Sequence, residues 1–280
     1  MRVCILTRGD LFPTNHGAAV KIVRTAEALS RAGAPTSVVT DDRDRYLRFT
    51  DGTCEEVPFP ARFRAAEEWP PLPRLGQWSE RLCQRIGYPR EELFLYRPMF
   101  DPVWWARAVE VGRLEGIDVF QAEFPGYGVP ALLAARALGA LRAAAGGGPE
   151  SRPRASVVQH NVEWDRLREF GFPVERLRKI EQTLLSLVDD VVAVSADDKA
   201  RMVAAGLSPA QVSVIPHGVD VGLFAEAARH GARARAELGA TYGVPPGAPL
   251  LFFHGTLHYW PNTNAVRALV EQILPRLLPR

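Results

Sequence analysis

A chain of 280 residues is long enough for one large domain plus part of another, whereas two complete large domains would be tight. Lys and Arg number 34 against 32 Asp and Glu, a net charge of +2 with no basic run, which argues against nucleic acid as a partner. Three cysteines, Cys4, Cys54 and Cys83, have neither metal-ligand spacing nor an even count, so a reducing cytosol is expected rather than a zinc site or a secreted disulfide framework. The opening apolar run, Val3 to Leu6, is too short for a signal-peptide core. The most apolar stretch, Val129 to Leu141, carries Arg136 and falls short of the ~18 apolar residues of a membrane span.

Short apolar runs alternate along the chain with longer segments of helical period, which predicts an α/β fold with a parallel sheet covered on both faces. Val3 to Thr7 reads as the first strand, Ala18 to Ala32 as a helix ended by Gly33, and Thr36 to Thr40 as the second strand. The charged run Asp41 to Arg45 reads as a solvated loop, followed by a strand at Cys54 to Val57. Pro58 to Pro102 interrupts the rhythm; rich in Pro and Arg and holding Trp69, Trp78, Phe94 and Tyr96, it reads as an excursion over the binding cleft. Further strands are expected at Ile117 to Ala122, Ala155 to Gln159, Asp190 to Val194 and Val212 to Ile215, with helices at Val129 to Leu141, Val174 to Leu187 and Asp197 to Ala205. The glycine run within Ala143 to Arg154 reads as a mobile surface loop.

Val244 to Pro249, with three prolines and Gly247, marks a boundary. Beyond it a strand is expected at Leu250 to Phe253 and a helix from Asn262 to Leu274, capped by Asn262 and ended by Pro275. One strand and one helix cannot bury a core, so residues 249–280 read as the opening of a second domain and residues 1–240 as a complete first one.

Parallel sheets bind ligands beyond the carboxyl ends of their strands, and three polar side chains, His160, Asn161 and Glu163, stand at one such end. A capped helix start would account for Asn161 and Glu163 equally well. Glu123 and Phe124 end another strand, and Ser195 lies just past a third. Asp42-Arg43-Asp44 spells an Asp-x-Asp metal motif, but five charges in the five residues Asp41 to Arg45 suit a solvated loop after the second strand. No Gly-x-Gly-x-x-Gly follows the first strand and no Gly-x-Ser-x-Gly surrounds Ser195, which weighs against dinucleotide oxidoreductases and α/β-hydrolases.

Taken in order, the segment Val212-Ser213-Val214-Ile215-Pro216-His217-Gly218-Val219-Asp220 with Phe224, the run His160-Asn161-Val162-Glu163, the loop Asn15-His16-Gly17 before a helix, and Gly255 to Asn262 resemble retaining glycosyltransferases of family 4, which have the GT-B fold of two Rossmann-like domains. His217 stands where that family usually has Asn, and one glycine, Gly17, stands where many relatives have two. The resemblance implies sugar transfer from a nucleotide sugar to a hydroxyl acceptor with retention, in polysaccharide or glycolipid synthesis, with no metal or other cofactor. It implies that His160 lines the reaction centre, that Asn15, His16, Gly17 and Gly255 face the donor, and that Glu123, Phe124, Asn161, Glu163, Arg178 and Ser195 lie around the substrates. A lipid-linked acceptor would bring peripheral membrane contact, with the excursion's tryptophans as candidates for it or for stacking on sugar rings.

In the family the nucleotide is held mainly by the second domain, through an Arg and a Lys soon after its first strand and a Glu-x7-Glu pair. Residues 255–262 offer no Arg or Lys. The isolated chain is therefore expected to transfer little sugar, and a catalytically silent acceptor-binding module is the alternative expectation.

Overall fold

The computed structural model describes residues 1–14, 17–63, 71–88, 90, 93–169, 171–257 and 260–277, and of residues 72, 73, 94 and 260 it describes the backbone alone. Asn15, His16 and Trp69 lie outside the described residues. The chain divides into two compact units, Met1–His217 and Gly218–Arg280.

The first unit is built on one eight-stranded sheet, in the order β4-β3-β2-β1-β5-β6-β7-β8. Its strands are β1 (Val3–Leu6), β2 (Thr36–Val39), β3 (Arg45–Thr50), β4 (Thr53–Pro58), β5 (Val119–Glu123), β6 (Arg154–Gln159), β7 (Asp190–Ala193) and β8 (Val212–Val214). All neighbours pair in parallel except β2 with β3 and β3 with β4. The loop expected at Asp41 to Arg45 is present up to Asp44, and β4 is the strand expected at Cys54 to Val57; β3 between them was not anticipated. In Arg45–Thr50 the two arginines stand three residues apart, and buried Tyr46 and Phe49 join the cores on opposite faces of the sheet.

Alternate residues of β1 serve both faces: Val3 and Ile5 pack with Ile22, Val23 and Ala26, while Cys4 and Leu6 pack with Ala108, Val111 and Leu138. The first set comes from α1 (Gly17–Arg31), the second from α2 (Pro102–Glu115) and α3 (Gly128–Ala144). This two-sided burial is why the parallel strands read as continuous apolar runs. Helix α1 stops where Gly33 takes φ +82° and Ala34 N–H bonds to the Leu29 carbonyl. Helix α2 is delimited by Asp101, whose carboxylate accepts from Val103 N–H at 3.0 Å, by Pro102 in its first turn, and by left-handed Gly116.

Among its described residues the excursion is largely helical. Pro71–Ile86 forms one helix, and Leu93–Tyr96 and Arg97–Phe100 form two short turns. Tyr88 and Tyr96 stack with centroids 3.7 Å apart in the core, and Trp104 is buried, whereas Trp78 is more than half exposed. The glycine run is a surface loop, as expected, and it closes α3: Gly146 takes φ +90°, Gly147 N–H returns to the Arg142 carbonyl at 2.8 Å, and the Arg142 guanidinium reaches the carbonyls of Ser151 and Ile117.

Three more helices complete the first unit: α4 (Glu163–Glu169), α5 (Glu175–Leu187) and α6 (Ala196–Ala204). On α5, Glu181 lies three residues after Arg178, a spacing that would suit a solvated ion pair, but it turns inward beside Leu177, Leu184 and Leu185 and is fully buried. Neither carboxyl oxygen has a hydrogen-bond partner among the described residues. Burial, and then the charge of Glu163, hold its pKa well above the ordinary carboxylate range. A folded-state pKa above the unfolded one gives stability that is full below the unfolded value and is lost as pH rises toward the folded one. Glu181→Gln is therefore expected to raise the urea midpoint, by a margin that widens from pH 5 to pH 8; an unchanged midpoint would show that the carboxyl is solvated.

In the second unit Asp220 caps the helix Val221–Arg229 by accepting from Leu223 N–H, and Gly243 ends the next, Gly231–Tyr242. Leu250 to Phe253 does not form the expected strand. With no neighbouring strand among the described residues to pair with, it stays irregular, and Phe252 is 83% exposed. The following helix begins at Trp260, before Asn262, and runs through a π-turn at Leu269–Ile273 into Leu274–Leu277. Pro275 does not end it, because the π-turn has already broken the hydrogen-bond register that a proline would disrupt. None of the described residues 218–277 is buried.

Candidate functional site

The chain winds from β1 outward to β2, then crosses back to place β5 on the other side of β1. At such a switch point the connections leave in opposite directions and a crevice opens at the carboxyl ends of the strands. Glu123 is the last residue of β5 and is fully buried there. Its Oε2 lies 2.5 Å from Lys21 Nζ, on α1, and 2.6 Å from His160 Nε2, just past β6. Its Oε1 accepts from Gln121 Nε2 at 2.7 Å.

Burial alone would raise the pKa of this carboxyl. The hydrogen bond with His160 and the charge of Lys21 outweigh it and hold Glu123 at about 2. A buried carboxylate, an ammonium and an imidazole thus meet at the mouth of the sheet, where three different strand–helix connections converge.

The rings around His160 fix its plane. Phe124 stacks on it at 4.5 Å, and the His217 ring lies 5.6 Å away at 29°. Burial lowers the pKa of His217, and its neighbours His160 and Lys21 lower it further. Phe124 holds its place with φ +81° and ψ 153°, a conformation rare for any residue with a side chain. Backbone outliers of this kind cost about 1–3 kcal/mol and concentrate at functional sites. The turn that follows, Pro125–Tyr127, packs so tightly on the excursion that a Cβ on Gly126 would collide with the Leu95 carbonyl.

Of the residues singled out from the sequence, Glu123, Phe124 and His160 are in mutual contact or share a hydrogen bond. Asn161 is exposed and donates to Glu163 at 3.3 Å; Glu163 is buried and bonds Arg166 Nε at 2.7 Å. Gly17 opens α1 and is exposed. Ser195 caps α6, its hydroxyl accepting from Asp198 N–H and donating to the Asp198 carboxylate. Arg178 is half-buried on α5. Gly255 belongs to the second unit, where the Asn262 amide packs against it and donates to the Thr256 carbonyl at 3.0 Å. Asp42 closes a turn by accepting from Asp44 N–H and pairing with Arg45.

Lys21 and His217 were not among the expected site residues. A lysine in the first half of a helix opposes the helix dipole, and that is the one local sign that Lys21 answers to a partner elsewhere.

The profile of the family described as Glycosyltransferase Family 4 matches residues 16–223. A search of curated proteins finds no match. Among solved structures, Anabaena Alr3699/HepE in complex with UDP and glucose aligns at 15% identity with a TM-score of 0.43, over 80% of this chain and 46% of that one. The same protein in complex with UDP-glucose aligns at 14% identity and a TM-score of 0.43, over 84% and 50%. The chain thus spans about half the length of these structures. No helix among the described residues is long and apolar enough to cross a membrane. With the family profile covering most of the first unit and every residue of the buried cluster, the chain belongs to glycosyltransferase family 4.

Proposed function

We propose that the first unit is the acceptor-side half of a glycosyltransferase that moves a sugar from a nucleoside diphosphate to a hydroxyl with retention of configuration, in polysaccharide or glycolipid synthesis. The observation that supports this most is the ionised Glu123 between Lys21 and His160 at the switch point of the sheet. Glycosyl transfer develops positive charge at the anomeric carbon, so the protein must hold the sugar and the departing diphosphate still while that charge forms. An imidazole clamped by a carboxylate and flanked by two rings is a rigid hydrogen-bonding group for a sugar hydroxyl. The positive N-terminal end of α1, the helix that follows β1, would favour the diphosphate, and Gly17 at its start would allow close backbone approach.

The donor's nucleotide would be held by a second Rossmann-like domain, to whose opening residues 249–280 would belong. A catalytically silent acceptor-binding role is the second reading, favoured by the absence of any buried residue among those described in the second unit. Calorimetric titration of nucleotide sugars into residues 1–280 joined to a donor-binding domain separates the two. One nucleotide sugar bound with micromolar affinity is expected; binding of acceptor saccharide without any nucleotide sugar would favour the silent module.

A further inference from the structure

We infer that Glu123 and Lys21 act together as positioning residues that lock His160 in one neutral tautomer, with the proton on Nε2 and the lone pair on Nδ1. The argument is one of donors and acceptors. Lys21 Nζ and Gln121 Nε2 carry only protons to give, and they occupy Oε2 and Oε1 of Glu123 respectively. Neither oxygen is left to carry a proton, so the carboxyl is a pure acceptor and His160 Nε2, 2.6 Å from Oε2, must donate.

Lys21 sets the charge as well as the geometry. Glu123 is 0% exposed, and a lone buried carboxylate would draw a second proton onto its imidazole partner. The ammonium at 2.5 Å supplies the balancing charge, so ammonium, carboxylate and neutral imidazole sum to zero. Among the described residues, the charged or titratable groups facing His160 are Lys21 from α1, Glu123 from β5 and His217 after β8, and His217 is itself disfavoured from taking a proton. Phe124 closes the other face of the ring with an apolar surface.

The consequence deepens the proposed sugar transfer and rests on it. A neutral imidazole offers Nδ1 as an acceptor for a sugar hydroxyl and adds no positive charge beside a carbon that is becoming positive, whereas an imidazolium would oppose the transition state.

The test needs no turnover. Long-range 1H–15N spectra of the histidine rings of the 280-residue chain report tautomer and protonation directly, with His160 assigned by its loss in His160→Gln. The parent is expected to show Nε2–H and bare Nδ1 at pH 7.5. Lys21→Met, which frees Oε2 of Glu123 to carry a proton, should mix the two tautomers, and Lys21→Arg should restore the parent's spectrum. Glu123→Gln, close in shape, should mix them too. An Nδ1–H tautomer in the parent, or the parent's unmixed Nε2–H spectrum in both Lys21→Met and Glu123→Gln, would overturn the inference. Should the tautomer lock hold while no nucleotide sugar binds, the proposed reaction fails and the lock does not.

Discussion

Replacing His160 with alanine is expected to lower sugar transfer about 100-fold or more while leaving the fold in place. The asymmetry comes from where the ring sits. Its interactions are one hydrogen bond to Glu123 and stacking on Phe124 and His217, and its side chain keeps 12% of its exposure. Without it, Glu123 still holds Lys21 and Gln121, so no buried charge is left unpaired and the loss of stability should stay within about 1–2 kcal/mol. The loss should fall on kcat more than on KM, because the contact matters most as charge develops at the sugar. Equal turnover by the variant in a protein that carries the donor-binding domain would remove His160 from the reaction centre.

The largest effect on stability is expected from Gly126→Val, at about 3 kcal/mol. A Cβ at this position would meet the carbonyl group of Leu95 and, at 2.8 Å, the Cα of Tyr96. These are backbone atoms, which cannot rotate aside as a side chain would. The turn therefore has to lift off the excursion, and it is the same turn that seats Phe124 against His160. Urea denaturation followed by far-ultraviolet circular dichroism checks this; a change below about 1 kcal/mol would mean that the excursion yields easily at this contact.

Much of the sheet could be read from the chain because a strand buried on both faces is apolar at every position, as Val3–Leu6 and Val157–Val158 are. The same signal misled at Leu250–Phe253. An apolar run specifies a strand only where a sheet exists to receive it, and here the run is exposed. The strand Arg45–Thr50 was passed over because its arginines break the apolar run; Arg48 pairs with Glu55 and Glu115 while Tyr46 and Phe49 turn inward. Helix Pro102–Glu115 was hidden by its aromatic start, although Asp101 with Pro102 supplied its start signal and Gly116 its stop signal.

The site divides along the same line. Glu123, Phe124 and His160 could be singled out because strand ends are where such a fold binds ligands. Lys21 could not, since its partner lies 102 positions away and a lysine placed against the helix dipole does not say which partner it has. Ser195 stood at a strand end for a different physical reason, the capping of the helix that follows. A polar residue past a strand is thus ambiguous until its hydrogen bonds are traced.

The most direct measurement of the central claim is transfer of labelled sugar from a panel of nucleotide sugars to a hydroxyl acceptor, using residues 1–280 joined to a donor-binding domain and following the anomeric proton by NMR. The expected result is a product with the donor's anomeric configuration, formed by the parent and reduced about 100-fold by His160→Ala. A product of inverted configuration, or equal transfer by parent and variant, would contradict it.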